Sequence, residues 1–237
     1  MSAHQHFFDK SLLEEEFSTS RSLNPAAIVR GHPVIIVPGL NDSDSHHWQT
    51  LWQERIPHAR RIAITQWQEA DLQKWRAGIH AALHDLRQPA ILIAHSFGAL
   101  AAASFAGDFP DLVAGVLLVA PADPDKFAVA GALPHRPLGV PAQLIASSND
   151  PWMTDSKAAY WALAWGANFL RLKNAGHINS HSNLGIWPQG LAQLRTLTHT
   201  IRLTETKRAR LTQRYSFFPA GATARTVCEG NQSLCTR

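Results

Sequence analysis

The chain has 237 residues, of which 45% are hydrophobic and 17% are charged, and its formal net charge at pH 7 is +4. This composition is typical of one globular domain with short extensions, and it excludes a disordered chain. The excess positive charge lies after residue 200, so the charge balance does not indicate a nucleic-acid partner. The only cysteines are Cys228 and Cys235. A core without disulfides suits a reducing compartment, and we expect a cytoplasmic protein.

The sequence predicts neither an export signal nor a membrane span. Residues 14–16 are all Glu, at a place where an export signal needs an apolar stretch. No stretch offers the roughly twenty apolar residues that a membrane span requires. We expect residues 1–30 to form an appended segment with a short helix near residues 11–17, and residues 31–200 to form the folded domain. Residues 201–237 have little periodicity and are expected to form a basic, loosely ordered tail.

Apolar runs and helical spacing alternate along the domain. The predicted strands lie at residues 34–37, 61–65, 91–94, 113–119, 143–146 and 168–172. Helical patterns lie at residues 45–56 with Ser45 as a candidate cap, 71–86, 99–106, 154–165, and from Pro188 onward. This alternation predicts an α/β fold, with a doubly wound, mostly parallel sheet of about six strands. Residues 124–139, rich in Pro, Gly and Ala, are expected to form a loop or a minimal cover over the carboxyl edge of the sheet.

The central feature of the sequence is the stretch 89–107, in which a buried apolar run is followed by Ser96 and an Ala-rich helix. A G-x-S-x-G motif indicates a nucleophilic serine when it lies between a strand and a helix, because the strained turn there lifts the Ser hydroxyl to the carboxyl end of the sheet. Ala94 and Gly98 occupy the two positions that must be small, since strand and helix pass closely there. Ala94 replaces the first Gly, so we interpret the motif as a variant nucleophile elbow. The alternative is a buried strand–helix turn that carries a serine by chance.

Three predicted strand ends carry residues in the order Ser96, Asp150, His177. A Ser hydroxyl needs a neutral imidazole to accept its proton and a carboxylate to orient that imidazole. The carboxyl ends of parallel strands meet at one edge of a sheet, so these side chains are expected to converge. His181 is the alternative base, and Asp123, at the end of the preceding strand, is the alternative acid. Their positions relative to the strand ends favour His177 and Asp150.

Acyl transfer also requires N–H donors for the oxyanion of the transition state. We expect Phe97, the residue after the serine, to provide one of them. The second is expected from the loop after the first strand, at Leu40 or else at Asn41. The side chains of Asn41, His47 and Trp152 are expected to contact the substrate.

The remaining polar clusters have simpler interpretations. His46 and His47 lie near two aspartates, but adjacent histidines diverge on a helix and no metal-ligand spacing is present. We therefore expect neither a metal nor a cofactor. His95, which directly precedes the candidate nucleophile, is interpreted as a structural histidine that packs beside the elbow.

Five motifs together resemble the small serine hydrolases typified by retinoblastoma-binding protein nine and the bacterial YdeN proteins, over roughly residues 31–197. The motifs are Val37-Pro38-Gly39-Leu40, Ser45 with His47-Trp48, Ala94-His95-Ser96-Phe97-Gly98, Ser148-Asn149-Asp150-Pro151 and Gly176-His177-Ile178-Asn179. The resemblance implies an α/β-hydrolase fold with a minimal lid and a triad of Ser96, Asp150 and His177. It also implies serine hydrolase activity, esterase- or aminopeptidase-like in some members. The L-x-C-x-E motif of the human member is absent, so a retinoblastoma-type partner is not expected.

We therefore predict a serine hydrolase with a small-molecule acyl substrate (an ester, thioester or amide) that is cleaved through an acyl-enzyme. The alternative is a hydrolase-fold protein that binds a partner instead of catalysing, because a fold does not guarantee an activity. The basic tail is a candidate contact for a polyanion, although a solvated terminus is the simpler interpretation.

Overall fold

One parallel sheet organises the computed structural model, which describes residues 23–216. The helix expected at residues 11–17 and the cysteines Cys228 and Cys235 lie outside the described residues. The strands are β1 (Val34–Val37), β2 (Arg60–Arg61), β3 (Ala90–His95), β4 (Val113–Val119), β5 (Ala142–Ser147) and β6 (Asn168–Leu172). Neighbouring strands are parallel, in the order β2-β1-β3-β4-β5-β6. The predicted α/β fold with six strands is confirmed.

Helices follow the strands and cover both faces of the sheet. They are α1 (Pro25–Ile28), α2 (Trp48–Gln53), α3 (Leu72–Leu83), α4 (Phe97–Asp108), α5 (Asp155–Trp165) and α6 (Pro188–Ser216). Thr154 caps α5 by accepting the N–H of Lys157, and Gly166, in the left-handed conformation, ends it. Within the described residues, none of these helices is both long and apolar enough to cross a bilayer.

Both faces of the sheet are buried, because alternate residues of a strand point to opposite sides. In β1, Ile35 and Val37 pack into a core cluster with α3, α4 and α5. Val34 and Ile36 pack into a second cluster with α1, α2 and α6. Strands β1, β3, β4 and β5 are buried along their whole length. This burial explains why the sequence shows unbroken apolar runs instead of alternation.

Strand β2 is shorter than the strand expected at residues 61–65. It comprises only Arg60–Arg61, which pair with the middle of β1. Its partner ends at Val37, and Pro38 has no N–H with which to extend the ladder. The apolar run after Arg61 therefore leaves the edge of the sheet.

The folded body begins earlier than residue 31. The Asn24 side chain caps α1 by accepting the N–H of Ala26, and both Ile28 and Val29 are buried in the core. The expected boundary between extension and domain therefore falls inside packed structure.

Helix α6 extends farther than expected. The apolar stripe that packs it against the body ends at Ile201, and the described residues up to Arg202 belong to one compact unit. Residues 203–216 belong to a second unit and are helical, so the expected loose order is not found there. Between Gly190 and Pro219 the sequence contains neither Gly nor Pro, so no residue in this stretch breaks the helix.

Candidate active site

Ser96 lies on a sharp turn between the end of β3 and the start of α4. Its backbone angles, φ 55° and ψ −123°, are sparsely populated by residues that carry a side chain. Neighbouring backbone approaches closely here: a Cβ on Gly98 would overlap the carbonyl oxygens of Val37 and Pro38. A Cβ on Gly39 would lie 2.7 Å from the Cβ of Ser96. The two glycines therefore allow the loop after β1 to pack directly against the serine.

A continuous chain of hydrogen bonds joins Ser96, His177 and Asp150. The Ser96 Oγ lies 2.9 Å from Nε2 of His177, and Nδ1 of the same ring lies 2.9 Å from each carboxylate oxygen of Asp150. A carboxylate only accepts hydrogen bonds, so Nδ1 carries the ring proton and Nε2 can accept the proton of the hydroxyl. The side chains of His177 and Asp150 are 9% and 3% exposed. Water therefore competes little for these hydrogen bonds.

The two alternative residues, Asp123 and His181, have other hydrogen-bond partners than Ser96, His177 and Asp150 in the described structure. The Nζ of Lys157 lies 2.5 Å from Oδ1 of Asp123. Partial burial raises the pKa of the Asp123 carboxyl, but the hydrogen bond from Lys157, the backbone N–H of Asp125 and the nearby lysine charges together outweigh it, so the net pKa is lowered. His181 borders the cavity beside Ser96, and its backbone N–H donates to the side chain of Asn179. Within residues 23–216, neither Asp123 nor His181 joins the hydrogen-bond chain of the serine.

The backbone donors expected for an oxyanion come from two segments, the start of α4 and the loop after β1. Phe97 is the first residue of α4, and the first N–H groups of a helix lack intrahelical acceptors. Leu40, in the loop after β1, borders the same cavity as Ser96. The N–H of Asn41 already donates to the carbonyl of Trp67 at 3.0 Å. Leu40 is therefore the better placed of the two expected donors in this loop.

A cavity of about 300 Å³ opens beside the serine. Asn41, His47 and Trp152, the three side chains expected to contact a substrate, all border it. Trp152 is 44% exposed, and its ring centre lies 5.9 Å from that of His177. It forms an outer wall of the cavity. Within the described residues, no three His, Cys, Asp or Glu side chains cluster closely enough to hold a metal ion.

Five further residues border the cavity without having been predicted as site residues: Asp42, Asp44, Phe127, Asn179 and Ser180. Phe127 is the one Phe, Tyr or Trp in the expected cover segment at 124–139. Its place in that segment could have indicated from the sequence that it borders the site. No sequence pattern indicates that Ser180 and Asp44 meet. The Ser180 hydroxyl donates to the Asp44 carboxylate at 2.6 Å across 136 positions, and this bond is the main cause of the lowered pKa of Asp44.

Two buried histidines, His47 and His95, also border the cavity, with their ring centres 4.8 Å apart. The Nδ1 of His47 accepts the N–H of Gln49 and so caps α2, in place of the expected Ser45. Burial lowers the pKa of His47 to about 4 and that of His95 well below its ordinary value. Both rings are therefore neutral at pH 7, and they place no positive charge beside His177.

A six-stranded parallel sheet with helices on both faces, and a serine on the turn between a central strand and its helix, define the α/β-hydrolase class of folds. Within this class, a sequence model of the Serine hydrolase family matches residues 34–196, which is more than half of the chain. The chain belongs to this family of hydrolases.

Solved structures give the same classification. A protein from Pectobacterium atrosepticum, described as a YdeN-like hydrolase, is 40% identical and aligns with a TM-score of 0.72 over 78% of this chain and 98% of its own. The ydeN gene product of B. subtilis shares the fold at 19% identity, with a TM-score of 0.59 over 70% of this chain and 98% of its own. An esterase domain from Rhodothermus marinus does so at 18% identity, with a TM-score of 0.52 over 70% and 89% of the two chains. No curated protein matches the chain. The resemblance to YdeN-like serine hydrolases is confirmed.

Proposed function

We propose that this hydrolase cleaves small esters through an acyl-enzyme, with Ser96 as the nucleophile, His177 as the general base and acid, and Asp150 as the carboxylate that orients it. The observation that carries the proposal is the unbroken hydrogen-bond chain through both nitrogens of His177, with 2.9 Å at each step. A hydroxyl within hydrogen-bond distance of a base that a third group orients is the arrangement that activates a serine. Membership in the Serine hydrolase family supports the same reaction class.

In the acylation step, Nε2 of His177 accepts the hydroxyl proton while Oγ of Ser96 attacks the ester carbonyl carbon. The N–H groups of Phe97 and Leu40 donate to the oxyanion that forms. The bond between the carbonyl carbon and the leaving oxygen then breaks. His177 transfers its Nε2 proton to that oxygen, so the alcohol departs and the acyl group stays on Ser96.

In the deacylation step, a water molecule attacks the acyl carbon while Nε2 of His177 accepts one of its protons. The same two N–H groups stabilise the second oxyanion. The bond from the acyl carbon to Oγ breaks, Ser96 regains its proton from His177, and the carboxylic acid is released. Asp150 stays ionised throughout and stabilises the imidazolium.

The shape of the site favours small substrates. A cavity of about 300 Å³ lies at the small end of the range for ligand pockets. The segment over it supplies Phe127 and a single 3₁₀ turn, Ala130–Ala132. We therefore propose short-chain esters as the preferred substrates. Thioesters and amides remain chemically accessible to the same mechanism.

Labelling with a fluorophosphonate probe tests the enzyme proposal. Wild-type protein is expected to be labelled and Ser96→Ala is not. Ser45→Ala serves as the matched control, because Ser45 is exposed and its hydroxyl hydrogen-bonds to the neighbouring His46. Equal labelling of wild type and Ser96→Ala, or labelling of neither, would remove the enzyme proposal and favour a partner-binding module. A series of p-nitrophenyl esters then tests substrate size, with the highest kcat/KM expected for the shortest acyl chains.

A further inference from the structure

The loop that carries His177 has a strained backbone. Three of its residues adopt positive φ: Asn174 at 53°, Gly176 at 58° and Ile178 at 50°. Asn and Gly tolerate this conformation, whereas a β-branched residue is strained in it. Ile178 is nevertheless fully buried. A strained residue of this kind persists only where its surroundings hold it firmly.

Two buried rings hold the backbone at this point. The Nε2 of His95 lies 2.9 Å from the carbonyl oxygen of His177, and the Nε1 of Trp48 lies 2.8 Å from the carbonyl oxygen of Ile178. A carbonyl only accepts hydrogen bonds, so His95 donates from Nε2, and this contact fixes its tautomer. His95 and Trp48 are 5% and 1% exposed. In such surroundings an unmade hydrogen bond is not replaced by water.

His95 also connects this loop to the turn at Ser96. It is the last residue of β3 and directly precedes the serine. Its ring centre lies 4.8 Å from that of His177, although the two residues are 82 positions apart. The residue that ends the strand before the nucleophile thus also restrains the backbone of the candidate base.

The part of the loop before His177 is held separately, from the end of β5. The N–H of Ala175 donates to Oγ of Ser147 at 2.9 Å, and the N–H of Gly176 donates to Oδ1 of Asn149 at 2.8 Å. These bonds do not involve the carbonyl of His177 or that of the residue after it. Removal of the two ring donors is therefore expected to loosen the loop at His177 while the bonds to β5 persist.

We propose that His95 and Trp48 are positioning residues, whose N–H groups hold the strained backbone of residues 177–178 so that the His177 imidazole stays 2.9 Å from Ser96. This inference rests on the proposed function, in which His177 is the base, and adds two groups that exchange no proton with the reacting atoms. A misplacement of about 1 Å in such a site lowers the rate roughly 100-fold.

Two neighbouring tryptophans provide a matched pair of variants. Trp52 lies in the same helix as Trp48, with ring centres 4.7 Å apart, and is equally buried, but its Nε1 donates to the carbonyl of Ile186. Trp48→Phe is expected to lower kcat for a short-chain ester roughly 10- to 100-fold, with KM changed by less than about twofold. Trp52→Phe removes a comparable buried N–H and is expected to leave kcat within about twofold of wild type.

Substitutions of His95 test the donor itself. His95→Gln keeps an N–H donor in the side chain and is expected to retain most of kcat. His95→Leu removes the donor and is expected to lower kcat as Trp48→Phe does. Equal losses of kcat in Trp48→Phe and Trp52→Phe, or in the two His95 variants, would overturn the positioning role, because the losses would then reflect general damage to the core.

Hydrogen exchange separates this inference from the proposed function. Amide exchange in a peptide that covers residues 174–178, measured by mass spectrometry, is expected to be faster in Trp48→Phe than in Trp52→Phe. Unchanged exchange would overturn the positioning role even if the enzyme is active. If wild-type protein hydrolyses no ester, the proposed function fails, whereas faster exchange in Trp48→Phe alone still supports the restraint on the loop.

Discussion

At Gly98 the chain has no room for a side chain, and the turn at Ser96 depends on this. A Cβ would overlap the carbonyl oxygens of Val37 and Pro38, and the packed backbone around them cannot shift easily. We expect Gly98→Ala to lower the free energy of unfolding by about 3 kcal/mol. Urea denaturation measures this change.

Gly131 provides the control for this substitution. A Cβ at Gly131 would meet no atom within 4 Å, so Gly131→Ala is expected to change the free energy of unfolding by less than about 0.5 kcal/mol. Similar unfolding midpoints for the two variants would contradict the close approach of backbone at the elbow.

His47 makes the folded state sensitive to acid. Burial lowers its pKa to about 4 in the folded protein, whereas an unfolded His has a pKa of about 6.5. Between these values the unfolded chain binds a proton that the folded chain does not, so stability falls as the pH falls. The contribution is complete above pH 6.5 and lost by about pH 4, and its size is about 3 kcal/mol.

The variant His47→Asn isolates this effect. Asn keeps a side-chain acceptor for the N–H of Gln49, so α2 retains its cap, but it does not titrate. A plot of unfolding free energy against pH is expected to be shallower between pH 6.5 and 4 for the variant than for wild type. Part of the slope will remain, because burial also lowers the pKa of His95. Parallel plots would show that His47 titrates alike in the folded and unfolded states.

At the scale of elements, Arg61 joins the edge strand β2 to α2 and to the loop between β1 and α2. Its Nη1 lies 2.8 Å from Oδ1 of Asp42 and 3.0 Å from the carbonyl oxygen of Ser43. Its Nη2 and Nε lie 2.7 Å from the side-chain oxygens of Thr50 and Gln53. One guanidinium thus fixes three segments, which explains how a strand of two residues stays in place.

We expect Arg61→Lys to lower the free energy of unfolding by about 2 kcal/mol, because an ammonium cannot reproduce the fork of donors. Arg55→Lys is the control. The side chain of Arg55 is 50% exposed, and its Nη1 lies 3.7 Å from Oε2 of Glu54. This change is therefore expected to lower the free energy of unfolding by less than about 0.5 kcal/mol. The melting temperatures of both variants, measured by thermal unfolding, are compared with that of wild type. A melting temperature for Arg61→Lys close to that of Arg55→Lys would rule out a structural role for the fork.

The sequence predicted those elements that burial alone determines. The run at 113–119 is a strand with the expected bounds, and all of its residues are buried, because a strand in a covered parallel sheet is apolar throughout. The run at 168–172 is also a strand with the expected bounds, but it lies at the edge of the sheet and none of its residues is buried. The same logic predicted the strand–turn–helix around Ser96. The catalytic roles of Ser96, Asp150 and His177 stay predictions, although their side chains lie in one hydrogen-bond chain.

Elements that depend on distant partners were not predictable. The run at 61–65 has strand-like residues, yet its partner β1 ends too soon to pair with it. His47 replaces Ser45 as the cap of α2, because the helix begins at Trp48, later than the sequence pattern indicated. The contact of Trp48 with Ile178 spans 130 positions, and no local pattern encodes it.

At the scale of the whole molecule, charge and packing divide the chain near residue 202. The body up to Arg202 contains the sheet, both core clusters and the cavity. The excess of positive charge lies after it. Residues 205–213 of α6 are exposed. That residues 204–237 are dispensable for folding and for the proposed activity is a prediction that truncation tests.

Two truncations that differ by seven residues test this division. The side chain of Ile201 packs directly on β4, where a Cβ on Gly115 would lie 2.8 Å from its Cδ1, and Leu197 is also buried. A chain that ends at Leu203 keeps both residues and is expected to match the full chain in melting temperature and ester hydrolysis. A chain that ends at Thr196 loses both, at a cost on the order of 4 kcal/mol, and its melting temperature is expected to be well below that of the full chain.

Weaker retention of the longer truncated chain on heparin, compared with the full chain, would indicate a polyanion contact in the tail. Loss of hydrolysis on removal of residues 204–237 would show instead that the basic segment belongs to the working enzyme.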